Sequence, residues 1–179
     1  MIDSKEVASN PYWSYRLDKY ELPNGETGEY HYVHSRGSTM VIPQLDEDGY
    51  RFVMTKQFRY LNQRESLEFP GGGIKEGLTP EQNAREELLE ETGYEAGKLT
   101  LLGEFNPFNG VTNEICGVYL AERLILREPK PEATEEFEIV ELRLSQITKM
   151  ITNNEIWDGM SLLSWAVYLT HYLSKKGSI

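Results

Sequence analysis

The stretch "GGGIKEGLTPEQNAREELLEETGY", residues 71 to 94, sets three glycines ahead of a Thr-Pro pair and then crowds Glu86, Glu87, Glu90 and Glu91 into six positions before Gly93. Thr79, with Pro80 next and Gln82 three residues on, is an N-terminal cap signal for a helix starting at Pro80. The helix is expected to run to about Glu91, with Gly93 as its stop. At about 100° per residue, Glu86, Glu90, Glu87 and Glu91 fall in that order across an arc of roughly 140°, while Ala84 and Leu88 share another face. Like charges at i and i+4 cost a few tenths of a kcal/mol per pair on an exposed helix, and the C-terminal half of a helix disfavours anions. A solvated acidic face is one reading. The glycines offer another, because they let backbone carbonyls approach the acids, and carbonyls with carboxylates are the ligands that Mg²⁺ or Mn²⁺ prefers.

Outward from this stretch the chain reads mainly as strands. Upstream, "YRLDKYELPNGETGEYHYVHS" has two alternating runs around Asn24-Gly25, a strong hairpin signal. "STMVIPQL" and "YRFVMTKQFRY", rich in β-branched and aromatic residues and joined by the acidic turn "DEDG", are expected to form a second hairpin. The segment "ESLEFPGGGIKEGLTP" is rich in Gly and Pro. Downstream, strand-like runs lie near 98 to 105, 115 to 124 and 137 to 142, followed by a short helix from about Ser145 and a longer one from about Asp158. Strands with helices packed on them make an α+β or sandwich arrangement.

A chain of 179 residues with 39% hydrophobic content suits one domain, with room for an added element. The net charge of −11 argues against a general role on nucleic-acid backbones, although a bound cation can still bring in a small phosphorylated ligand. Cys116 is a lone cysteine, expected to be a small buried hydrophobe in a reducing, cytoplasmic setting. Residues 1 to 20 carry no signal-peptide pattern, and "MSLLSWAVYLTHYL" is too short and too mixed to span a bilayer. No membrane association is expected. His31, His34 and His171 share no ligand spacing. Trp157 and Trp165, eight apart, are expected on one helical side as core or dimer contacts.

The run from Gly71 to Tyr94 resembles a Nudix box, the loop-helix-loop pattern G-x5-E-x7-R-E-U-x-E-E-x-G-U, in which U is a bulky apolar residue. Gly72 matches the first Gly, Glu87 and Leu88 the Glu-U pair, Glu90 and Glu91 the acidic pair, and Gly93 with Tyr94 the close. Leu78 stands where the pattern has Glu, and Glu86 where it has Arg. Sliding the frame by one recovers Arg85-Glu86 but puts Leu89, Gly77 and Thr92 in wrong slots. The resemblance implies a Nudix fold, with mixed β-sheets sandwiched by helices and an N-terminal β-hairpin extension. Residues 1–35 would be that extension, contributing to a homodimer, and 36–179 the Nudix domain with its C-terminal helix. It also implies metal ligands Glu87, Glu90 and Glu91 with the Gly71 carbonyl, holding Mg²⁺ or Mn²⁺. Losing an acid and a base together is milder than losing one, since no partner is left unpaired. Glu86 nonetheless adds a negative charge beside the metal site.

"KQFRY" followed by "ESLEFPGGG" resembles the approach to the box in ADP-ribose pyrophosphatases and related nucleoside-diphosphate-sugar hydrolases. That resemblance implies that Arg59 contacts the diphosphate, for which its fork of donors is suited, and that Glu68 points into the same pocket. The competing readings are a strand-end surface Arg and a strand-edge acid. Glu114, in "PFNGVTNE", would face substrate or metal, or be a turn acid. The general base is expected in "PEATEEFEIVEL", with Glu135 ahead of Glu136, beside Glu90 in the catalytic set. Trp13 would stack on adenine across the dimer, or simply pack an N-terminal strand. The implied reaction is hydrolysis of ADP-ribose to AMP and ribose 5-phosphate. The alternatives are another nucleotide sugar, or a catalytically weak domain that binds a nucleotide as a sensor.

Overall fold

The computed structural model describes residues 1–127 and 138–177. Ten strands and three α-helices follow in the order β1 (Asp3–Ser9), β2 (Ser14–Glu21), β3 (Thr27–His34), β4 (Ser38–Pro43), β5 (Arg51–Arg59), β6 (Arg64–Glu68), β7 (Gly71–Gly73), α1 (Pro80–Thr92), β8 (Tyr94–Phe105), β9 (Cys116–Leu126), β10 (Glu138–Arg143), α2 (Leu144–Thr152) and α3 (Gly159–Lys175) among the described residues.

The central sheet has the order β7-β4-β9-β8, with β4 parallel to β9 and the other pairs antiparallel. Both faces of β4 and of residues 116–121 of β9 are covered, so these stretches lack the alternation of a strand with one face in water. Successive side chains still point to opposite faces. Val41, Tyr119 and Ala121 meet Ala84 and Leu88 of α1 on one side. Met40, Ile42, Val118 and Leu120 meet the larger core on the other, with Trp165 and Tyr168 of α3 and Phe52 and Met54 of β5. The central sheet is thus flanked by α1 on one face and by α3 with a second sheet, β10-β5-β6, on the other. This is the expected α+β arrangement. Phe52, Phe69, Trp165 and Tyr168 hold the larger core together through edge and stacked ring contacts at centroid distances of 5.1 to 5.7 Å.

The hairpin at Asn24-Gly25 forms as expected, with Glu21 opposite Thr27 and Gly25 at φ 85°. β1 adds to it as a third strand, which the polar sequence "DSKEVAS" did not announce, since all seven residues are exposed. The β1-β2-β3 sheet meets the rest of the chain along the segment 106–114, where Val33 bridges Thr112 and its N–H donates to Val111 O at 2.9 Å. The second expected hairpin does not form. β4 and β5 lie in different sheets and share a single bridge, Gln44 with Phe52. Both runs are apolar on two faces, which lets each strand be the interior of its own sheet. Trp157 is likewise not helical. It precedes α3, donates from its indole N–H to Glu65 O at 3.1 Å, and stacks under the Arg64 guanidinium. Trp165 is core, as expected. No described helix is long and apolar enough to cross a membrane.

Candidate active site

The acidic helix α1 is fixed at both ends. Thr79 accepts from the Gln82 N–H while Gln82 accepts from the Thr79 N–H, a reciprocal capping box with Pro80 at the first helical position. At the far end Gly93 adopts φ 71° and returns its N–H to Leu89 O. Between them the buried face is mixed. Ala84 and Leu88 enter the core, and beside them Asn83, Glu87 and Glu91, spaced four apart, form a second inward row at 0%, 8% and 7% exposure. Buried carboxylates are costly unless paired or bound to a cation, so this row separates Glu87 and Glu91 from a solvated acidic face. Glu90 is half-buried beside them and Glu86 is exposed.

The glycines complete the site from below. β7 pairs with β4 in the register Thr39 with Gly72 and Met40 with Gly71. A Cβ at Gly72 would lie 2.9 Å from the carboxylate atoms of Glu87, so only glycine leaves that carboxylate its place. The Gly71 N–H donates to Glu91 at 3.4 Å, and the Thr55 hydroxyl donates to the same carboxylate at 3.5 Å. Asn83 braces the whole assembly: its side-chain carbonyl accepts from the Lys75 N–H and its amide donates to the Thr39 hydroxyl, both at 2.9 Å. The Lys75 ammonium reaches Glu90 at 2.6 Å and lies 3.9 Å from Glu87. No three acidic, His or Cys side chains among the described residues converge as a ready-made metal cage. The donor chemistry nonetheless fits a hard divalent cation: three carboxylates and the Gly71 carbonyl, with Gly72 leaving room and Lys75 on a flexible, partly exposed stem.

Arg59 and Glu68 adjoin this cluster. Thr55 links them to it, since its hydroxyl also approaches Glu68 O. The Arg59 guanidinium grips the buried Glu68 carboxylate with both prongs, Nε at 2.8 Å and Nη2 closer still, and this hydrogen bonding raises its pKa further. Glu114 lies just before β9, at the N-terminal end of β4. It accepts from the Ser38 hydroxyl at 2.5 Å and the Ser35 hydroxyl at 3.4 Å, and Ser38 is paired with Gly73. Ser35 also lines a cavity of about 220 Å³ with Trp13, His34 and Arg36. Trp13 thus shares a cavity with Ser35, and none of the box acids lines it. A larger cavity of about 710 Å³, lined by Tyr20, Tyr30, Tyr32, Asn106 and Asn113 among others, sits between the N-terminal sheet and segment 106–113 and includes none of the box acids. Glu135 and Glu136 lie outside the described residues.

Of the two departures in the box, Leu78 is half-buried in the loop, and the Glu86 side chain makes no hydrogen bond or ion pair among the described residues. Arg85 does not substitute for the missing base: its guanidinium binds Glu81 and the Ala96 carbonyl. That placement agrees with the register that leaves Arg85 outside the motif. Sequence reasoning missed Asn83 and Lys75. Asn83 was discernible as a polar residue in the row of Glu87 and Glu91, whereas the reach of Lys75 across a loop has no periodic signal. His31 and His34 bond to Tyr15 and Asn113, and Cys116 is fully buried, its thiol pushed up to about 11 by desolvation.

The profile described as NUDIX domain matches residues 34–160, and the chain belongs to the Nudix family. It is 34% identical to the ADP-ribose pyrophosphatase of Bacillus subtilis (strain 168), over 99% of this chain and 96% of that one. It is 29% identical to the methanol dehydrogenase activator of Bacillus methanolicus, over 91% of this chain and 88% of the relative. A crystal structure of an ADP compounds hydrolase superposes with a TM-score of 0.81, covering 99% of this chain and 95% of that one; at 18% identity it establishes the fold.

Proposed function

We propose that this Nudix protein hydrolyses the diphosphate bond of a nucleoside-diphosphate sugar, with ADP-ribose as substrate and AMP and ribose 5-phosphate as products. The observation that carries the reading is the buried pair Glu87 and Glu91, set with Glu90 against the glycine strand that leaves room for them. The full-length similarity to an ADP-ribose pyrophosphatase supports the choice of substrate. Glu87, Glu90 and Glu91 with the Gly71 carbonyl would hold Mg²⁺, or Mn²⁺ in its place. A bound ion of this kind neutralises phosphate oxygens and makes water a better nucleophile.

The remaining work falls to the chain. A carboxylate of the 128–137 segment, Glu135 before Glu136, takes a proton from the water as its oxygen attacks phosphorus and the bridging P–O bond breaks. Arg59 keeps part of its fork open to solvent while Glu68 fixes its direction, which suits it to diphosphate oxygens. Glu114 and Trp13 line the way to the nucleoside, with Trp13, 45% exposed, free to stack on a base. Residues 1–35 act as an extension that brings a second copy of the chain to the site, making the working form a homodimer. The setting is cytoplasmic, in keeping with the single reduced cysteine.

The test is release of monophosphate from a panel of nucleoside-diphosphate sugars with Mg²⁺. Turnover of ADP-ribose that Glu91→Gln nearly abolishes, in a protein that melts as a folded domain, is the expected result. Full activity in Glu91→Gln overturns the metal assignment. Tight ADP-ribose binding without turnover favours a sensor, the reading that Leu78 and Glu86 motivate, and turnover of a different sugar nucleotide redirects the substrate, because the fold leaves base and sugar open.

A further inference from the structure

We infer that Lys75 is an internal counter-cation of the acid site, which competes with the divalent ion for Glu90 and Glu87 and so sets the site's metal affinity; this rests on the metal-site reading above. Its ammonium lies 2.6 Å from Glu90 and 3.9 Å from Glu87, in side chains that are 34%, 27% and 11% exposed respectively. The placement is anchored by more than the ion pair. The Lys75 N–H is held at 2.9 Å by Asn83, which is itself fully buried and tied to Thr39 of β4. The backbone of Lys75 is therefore fixed against α1, and its stem is directed along the acidic row.

Charge explains why a cation belongs there. The last turn of α1 carries Glu90 and Glu91 and no basic residue, at the helix end where the macrodipole already disfavours anions. Glu86 occupies the motif position where a guanidinium would stand, and Arg85 is committed to Glu81 and Ala96. Lys75, from the loop, supplies positive charge on the inner side instead. A compact ammonium on a four-carbon stem can swing into water when a divalent ion arrives, which a forked guanidinium gripping two oxygens does less readily. Ion entry is then an exchange of one positive charge for two, and part of the binding energy goes into displacing the lysine.

Two readouts move in opposite directions as a result. In Lys75→Met, Mn²⁺ binding, followed by calorimetry or by the free-ion EPR signal, is expected to tighten about three- to tenfold, as for loss of a partly buried competing pair. Thermal unfolding in chelator is expected at a lower temperature, while the upward shift caused by saturating Mn²⁺ grows. Lys75→Gln, which keeps a polar terminus, gives the same pattern if the methionine variant folds poorly, and Lys75→Arg restores the melting temperature in chelator and brings Mn²⁺ affinity down to the wild-type value or below it, as expected of a guanidinium that yields less readily. A merely structural lysine would lower stability with and without metal and leave Mn²⁺ affinity unchanged or weaker, and that result overturns the inference. Failure of the unmodified protein to bind Mn²⁺ at all overturns the metal site and this inference with it, whereas binding with unaltered affinity in Lys75→Met and Lys75→Gln overturns the inference alone.

Discussion

Replacing Gly72 by alanine puts a methyl carbon 2.9 Å from the Glu87 Cδ and both carboxylate oxygens, whereas ordinary contact begins near 3.4 Å. The carboxylate is the end of a flexible side chain, so it gives way by about 0.5 Å or more, beyond the tolerance within which a ligand group stays productive. The fold should survive and the site should not. We expect Mn²⁺ binding to weaken about tenfold, equivalent to about 1.4 kcal/mol, with turnover reduced alongside it. Gly71→Ala is the contrast. Its methyl would run into Thr39 O and lie 3.0 Å from Met40 Cα, backbone atoms of β4 that cannot rotate aside. Strand β7 must then part from β4, an overpacking cost of about 1 to 3 kcal/mol, which lowers the melting temperature by roughly 3 to 10 °C in a protein of this size. Circular dichroism melts in chelator and Mn²⁺ titrations separate the two. Wild-type Mn²⁺ affinity and turnover in Gly72→Ala, or a wild-type melt in Gly71→Ala, would refute the reasoning.

Three further outcomes can be checked with the same protein. Glu68→Gln removes one anionic partner from a pair whose other member, Arg59, stays hydrated, so a loss of about 1 kcal/mol is expected rather than the 3 to 5 of a fully buried pair; denaturant unfolding measures it, and no loss would mean the pair is idle. Leu78→Glu combined with Glu86→Arg should raise kcat/KM severalfold, and an unchanged value would indicate that the departures are compensated elsewhere. His171 has a pKa below its usual value, chiefly through desolvation and then through Lys175, so the unfolded chain takes up its proton first as pH falls. Stability from this residue is complete above about pH 6.5 and is lost on acidification through the lower folded value; the melting temperature of the unmodified protein should drop more between pH 7.5 and 5.5 than that of His171→Gln, and parallel drops would count against it.

The acidic helix was legible in detail because its signals are local: Thr79, Pro80 and Gln82 at one end, Gly93 at the other, and a spacing that sets Ala84 and Leu88 apart from the acids. The hairpin at Asn24-Gly25 was legible for the same reason. Pairings between distant segments were not. Nothing in "STMVIPQL" says that its neighbour is "CGVYLA", about eighty residues on, rather than the run that follows it, because an apolar strand satisfies either partner. Strand β7 was hidden too, since three glycines carry no pattern of side chains to read. At the site, the carboxylates were found through their crowding and the family pattern. The roles of Asn83 and Lys75 depend on a loop folding back across the helix, which only three-dimensional contacts reveal.

The position of β7 within the central sheet has a consequence for how the site opens. Its residues are paired with β4, and Val41 N–H to Pro70 O and Ile74 N–H to Gly37 O extend the ladder on both sides. Segments on exposed loops exchange their amide hydrogens through cheap local fluctuations, whereas those in a core ladder exchange only when a larger cooperative unit comes apart. The amide of Val41, on the interior strand β4 and fully buried, should accordingly be among the slowest in the chain to take up deuterium. A strand tied in on both sides in this way would keep the Gly71 carbonyl in place through many cycles of substrate entry and product release.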